Sequence, residues 1–82
     1  MDPLEQLAAA LDLEAPTRQE QGRVLDLARD VAHGLERRIT PLAALLLGMS
    51  VERRIAAGAT RSDALDAAIT DLRAALPPAE GA

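Results

Sequence analysis

Leu25-Asp26-Leu27-Ala28-Arg29-Asp30-Val31-Ala32-His33-Gly34 reads as an amphipathic helix, and the rest of the chain repeats its logic. At about 100° per residue, Leu27, Ala28 and Val31 share one side with Val24 and Leu35, while Asp26, Arg29, Asp30 and His33 share the other. Upstream, Thr17-Arg18-Gln19-Glu20 is a capping box, a hydroxyl at the N-cap with a carboxylate three residues on. Downstream, Pro41 disfavours a helical conformation at Thr40, so the helix is expected to end near Arg38. Arg37 and Arg38 suit the negative end of its macrodipole.

Three further helices follow from similar punctuation. Asp2 as N-cap, Pro3 at the first helical position and Glu5 in the first turn open a helix carrying Leu4, Leu7, Ala8 and Leu11, expected over 3–13. Thr40-Pro41 opens a third helix in the same cap-then-proline style. This helix is apolar on two sides: Leu42, Leu45, Leu46 and Met49 lie on one, Ala44, Leu47, Val51 and Ile55 on the other. Such a helix is either central in a bundle or half committed to a partner. Gly48 within it implies the close approach of a neighbouring helix, and Gly58 is a natural C-cap. Thr60 or Ser62 caps a fourth helix with a stripe of Leu65, Ala68, Ile69, Leu72 and Leu76, which Pro77-Pro78 stops. No stretch alternates with period two, so no strand is expected. The expected fold is all-α: a compact four-helix bundle with helix three central, one domain over 1–78 and a disordered tail at 79–82.

Composition narrows the function classes. Eighty-two residues hold one small core, and with no Phe, Trp or Tyr that core must be built from Leu, Ala, Val, Ile and Met. The net charge of −4 and the lack of aromatic stacking groups argue against nucleic-acid partners, including the reading as a helical transcription factor. The absence of cysteine excludes disulfides and thiolate metal sites. The longest apolar run, 42–47, is too short to span a bilayer, and no leader peptide is visible, so the expectation is a cytoplasmic chain with no membrane contact.

The chemistry-bearing residues form one constellation. Arg29, Asp30, His33 and Arg37 are three or four apart along helix two, so their side chains can touch, and Asp30 is placed to pair with His33. The same spacing also describes an ordinary solvated face of weak ion pairs. His33, Asp30 and Asp26 would be a poor metal set, with arginine neighbours and no second histidine. Ser50 and Ser62 lie on other helices than His33, so no nucleophile–base pair is expected, and no catalytic residue or cofactor is assigned. The chain lacks the Asp-Ser-Leu of acyl carrier proteins, which share its size, acidity and helix count. A second candidate surface is Leu47, Val51 and Ile55, which would drive homodimerisation if helix three lay at an edge.

The run 24–33, followed by Pro41-Leu42 and Leu45-Leu46-Leu47-Gly48, resembles a small bacterial all-helical domain family of unknown function. The resemblance spans about 4–59 and is strongest over 24–48; the tryptophan that members often carry in the first helix is absent. In some members this domain is fused to, or encoded beside, a nucleotidyltransferase similar to the molybdopterin-guanine dinucleotide synthesis enzyme. The resemblance implies a non-enzymatic accessory or docking domain, with Arg29, Asp30 and His33 as its polar signature and a nucleotidyltransferase as protein partner. The alternative expectation is a binder of an anionic nucleotide or pterin phosphate held by Arg29, His33 and Arg37.

Overall fold

Three of the four helices begin where a side-chain oxygen accepts an otherwise orphaned backbone N–H. In the computed structural model, which describes residues 2–78, α1 (Pro3–Ala10), α2 (Arg18–Gly34), α3 (Ile39–Ala56) and α4 (Arg61–Ala74) follow in order, with no strand among the described residues. Glu5 N–H donates to Asp2 Oδ1 at 2.7 Å, Glu20 N–H to Thr17 Oγ1 at 3.1 Å and Asp63 N–H to Thr60 Oγ1 at 3.1 Å. Thr17 N–H returns the bond to Glu20 Oε1 at 2.8 Å, which completes the capping box. The tail expected at 79–82 lies outside the described residues.

The helix ends differ from expectation. α1 stops at Ala10, not Leu13, because Asp12 adopts a left-handed φ of 56° and the chain winds into a Schellman turn: Leu13 N–H donates to Ala8 O at 2.8 Å and Asp12 N–H to Ala9 O at 3.1 Å. α2 stops at Gly34, and Leu35 is extended at φ −137° and ψ 178°. α3 then starts at Ile39, after Arg38, with no side-chain cap; Thr40 and Pro41 sit inside its first turn, where proline's missing N–H leaves no bond unmade. At its other end Gly58, at φ 110°, lets Ala59 N–H reach Arg54 O at 3.0 Å.

Four-residue connections at 35–38 and 57–60 return the chain each time, so α3 runs antiparallel to both α2 and α4. It is the central helix, packed on both and most extensively on α4. The core is Leu27 and Val31 from α2, Ala43 and Leu47 from α3, and Leu65, Ala68 and Ile69 from α4, with Val24, Val51, Leu72 and Leu76 packed around it. Among the described residues α1 makes no close backbone approach to another helix.

Charged pairs tie α4 to its neighbours. Arg61 grips Glu20 with two bonds of 2.9 Å and reaches Glu14 Oε2 at 3.3 Å. Arg23 pairs with Asp66, and Asp30 Oδ2 accepts from Arg73 Nη2 at 2.7 Å and Nε at 3.1 Å. Residue numbers rise together in these pairs, so α2 and α4 run parallel. Arg54 of α3, bonded to Ser50 Oγ at 3.4 Å, pairs with Asp71 on the other side of α4.

Glu20 is the most enclosed partner, its side chain 17% exposed. The Arg61 guanidinium first, then the Thr17 N–H, hold its carboxyl below the ordinary 4.5, with burial acting in the opposite sense. A carboxyl depressed in the folded state stabilises at pH values above its unfolded pKa and loses that contribution as pH falls through the folded one. Glu20→Gln is therefore expected to lower stability by about 1–2 kcal/mol at neutral pH. Urea melts across a pH series should show the gap to wild type closing below pH 4.5, as the wild-type carboxyl protonates.

Gly48 corrects the sequence expectation: a Cβ there would meet nothing within 4 Å, so no helix approaches closely and its backbone is ordinary helix. Gly48→Ala is expected to stabilise by about 1 kcal/mol, because alanine lowers unfolded-chain entropy without a clash. Thermal denaturation should show the midpoint raised by roughly 4–8 °C for a domain of this size.

Candidate interaction surfaces

The helix-two constellation is split by the fold. Asp30 points along the α2–α4 seam, where Arg73 takes one of its oxygens twice, so its role is to hold two helices together. No bond joins it to His33 among the described residues. Arg29 stays on the exposed face and meets Asp26 only loosely, at 3.8 Å. Arg37 does not extend the row: α2 ends at Gly34, and Arg37 lies in the connecting turn. The side chains of His33 and Arg37 are exposed and make no hydrogen bond or ion pair among the described residues. Between them stands Leu35, part of the expected inner stripe but 42% exposed because its extended backbone carries it off the helix.

The two-sided third helix is resolved in the opposite sense to the sequence expectation. Leu47 is 6% exposed and lies in the core, and Val51 and Ile55 are half-buried, so these three do not form an exposed patch. They turn inward because Ala43 on the same arc is small enough to let α2 and α4 come close. Leu42, Leu45, Leu46 and Met49 face outward, 50 to 62% exposed. Central position did not satisfy both sides of α3. Leu7, Leu11 and Leu13, at or just beyond α1, are also exposed.

Two hollows mark the surface of the described residues. An open cleft of about 440 Å³ lies between the start of α1 and the start of α2, lined by Asp2, Glu5, Glu14, Arg18 and Gln21. Most of its polar groups serve the fold: Asp2 caps α1, Glu14 meets Arg61, and Gln21 Nε2 donates to Pro16 O at 3.1 Å. The other hollow is apolar, about 20 Å³, between Val24, Leu27, Ala28, Leu47 and Leu72, with room for little more than one water. Thr40 lines it, and its Oγ1 is buried without a hydrogen-bond partner. Among the described residues no three His, Asp or Glu side chains converge as a metal set, and no helix is long and apolar enough to cross a membrane.

The fold and its surfaces define a small all-α domain whose polar chemistry is largely engaged in holding helices together and whose largest unused feature is apolar. The chain belongs to the family described as Domain of unknown function (DUF6457), whose model matches residues 3–81. No curated protein and no solved structure matches it.

The orphaned Thr40 hydroxyl makes a local prediction. Thr40→Val replaces it with a methyl group of nearly the same shape and removes a buried, unpaired oxygen. The variant is expected to be more stable by about 1 kcal/mol in urea denaturation.

Proposed function

We propose that this domain is a non-catalytic accessory module that works by contact with another protein, and that its partner is a nucleotidyltransferase of molybdenum-cofactor biosynthesis. The observation that carries the reading is the α2–α3 turn, where His33, Leu35 and Arg37 stand exposed within five residues and the two polar side chains are unpaired within the fold. Two cationic or titratable groups around an exposed leucine suit a partner patch that is acidic at its rim and apolar at its centre. Arg29 flanks this end of the molecule, whereas Asp30 supports it from behind through Arg73. The identity of the partner rests on the resemblance carried by the helix around Leu27 to His33 and by the Pro41-started segment. A bacterial cytoplasm is the compartment that goes with such a partner.

Calorimetric titration of the nucleotidyltransferase with this domain tests the reading. The double variant His33→Ala/Arg37→Ala should bind about tenfold or more weakly, while Asp30→Asn should lower the melting midpoint and leave affinity unchanged. Equal affinity of the double variant and the wild type overturns the assignment. A thermal shift with an anionic nucleotide or pterin phosphate alone, lost in the same double variant, would establish the small-ligand reading in its place.

A further inference from the structure

We infer that two copies of this chain pair by reciprocal docking, the α1 segment of each lying on the outward face of α3 of the other. Two apolar faces are left without a partner in the chain, and each lacks what the other offers. α1 is only eight residues long, approaches no other helix closely, and exposes Leu7 and Leu11, with Leu13 following in its Schellman turn. A helix shorter than about 12 residues is marginal in water unless packing holds its apolar face. α3 is long and held on its inner side by α2 and α4, yet presents Leu42, Leu45, Leu46 and Met49 to solvent. These four fall within about 100° of arc, a stripe of the width one helix needs to seat another.

Charge favours the same pairing. Residues 2–14 carry Asp2, Glu5, Asp12 and Glu14 and no Lys or Arg. The α3 stripe is bracketed by Arg38, already paired with Glu36 at 2.8 Å, and by Arg53, four residues after Met49, which has no carboxylate partner among the described residues. Glu5 and Asp12, which no Lys or Arg answers among the described residues, thus face a stripe that carries an unanswered cation, Arg53, at one end. Packing α3 on α3 of a second copy would cover one of the two faces and leave α1 bare.

The occupant is a second copy because α1 is held away from its own α3. Glu14 is tied to Arg61, Gln21 bonds Pro16, and Leu4 and Glu5 line the cleft against the first turn of α2. These contacts keep α1 at the end of the molecule where α2 and α4 begin. A two-fold axis makes the exchange twice and closes the assembly at two copies. Leu7, Leu11, Leu13, Leu42, Leu45, Leu46 and Met49 from each copy then meet, which puts the buried area on the order of 1,000 Å², the lower range of specific dimers. The polar turn at His33 and Arg37 takes no part, so this pairing stands apart from the nucleotidyltransferase contact.

Sedimentation velocity over a concentration series tests the pairing on the full chain. The wild type should dimerise, and Leu7→Asp and Leu46→Asp, both at exposed positions, should each raise the dissociation constant more than about tenfold with helicity unchanged by circular dichroism. Mixing the two variants should restore association, because the intact α1 of one meets the intact α3 of the other. A strictly monomeric wild type overturns the inference, as does a Leu7→Asp variant that dimerises normally, the sign of α3–α3 packing. If either variant unfolds, the cysteine-free chain allows a direct reading: Leu11→Cys and Leu46→Cys copies, mixed and oxidised, should form a disulfide heterodimer in preference to either homodimer. Absence of that preference overturns the inference too.

Discussion

The architecture depends on α4 lying in the angle between α2 and α3, which is a constraint of size before it is one of charge. With no aromatic side chain available, the helices must come close enough for Leu, Val and Ile to fill the space between them. α4 makes this approach with alanine: Ala64 and Ala68 are buried, beside Leu65 and Ile69. Along its flanks, Arg61, Asp66 and Arg73 face Glu20, Arg23 and Asp30 of α2, and Asp71 faces Arg54 of α3. Most of these pairs are solvent-washed and add little stability singly. Their alternation of sign along α4 is what they contribute. Sliding α4 by one turn would set like charges together, so the row defines the register that the smooth alanine surface leaves open. Only Glu20–Arg61, doubly bonded and joined to a helix cap, combines register with stability.

The starts of α1, α2 and α4 were legible because they are local: Asp2, Thr17 and Thr60 each satisfy an N–H three residues away, whereas α3 opens at Ile39, ahead of the expected Thr40 cap and with no side-chain cap. Helix ends were less so. α2 ends at Gly34 with Leu35 extended at φ −137° and ψ 178°, four residues before the Arg38 that local breakers pointed to. The role of Asp30 could not be read from spacing, because its partner Arg73 is 43 residues away and on another helix, while helical periodicity sees only neighbours three and four apart. Local spacing favoured His33. For α3, the helical wheel gave two apolar arcs and no means of ranking them by hydrophobicity. A ranking signal was present in size: the inner arc contains Ala43, and small residues mark where helices approach, while the outer arc is uniformly large. Arg54 falls beside that inner arc, where its pairing with Asp71 anchors α3 to α4.

A domain with this division of its hydrophobic side chains has its stability coupled to whatever covers it. The buried cluster is small, and Val31 is the one large side chain in it that is essentially sealed from water. Leucines left on α1 and α3 outnumber those in the core. In the isolated chain the outer leucines, 50 to 69% exposed, contribute to folding only through the part of each that is covered, since burial and not mere presence removes apolar area from water. Covering them adds that contribution to the folded state alone, so any partner of the native surface raises the free energy of unfolding by mass action. The effect is largest where intrinsic stability is least, at the eight-residue α1, whose leucines and whose short length both call for an external surface. In the dimer inferred above, association and the ordering of α1 would be one equilibrium, and the core of α2, α3 and α4 would hold the register on which the outer faces meet.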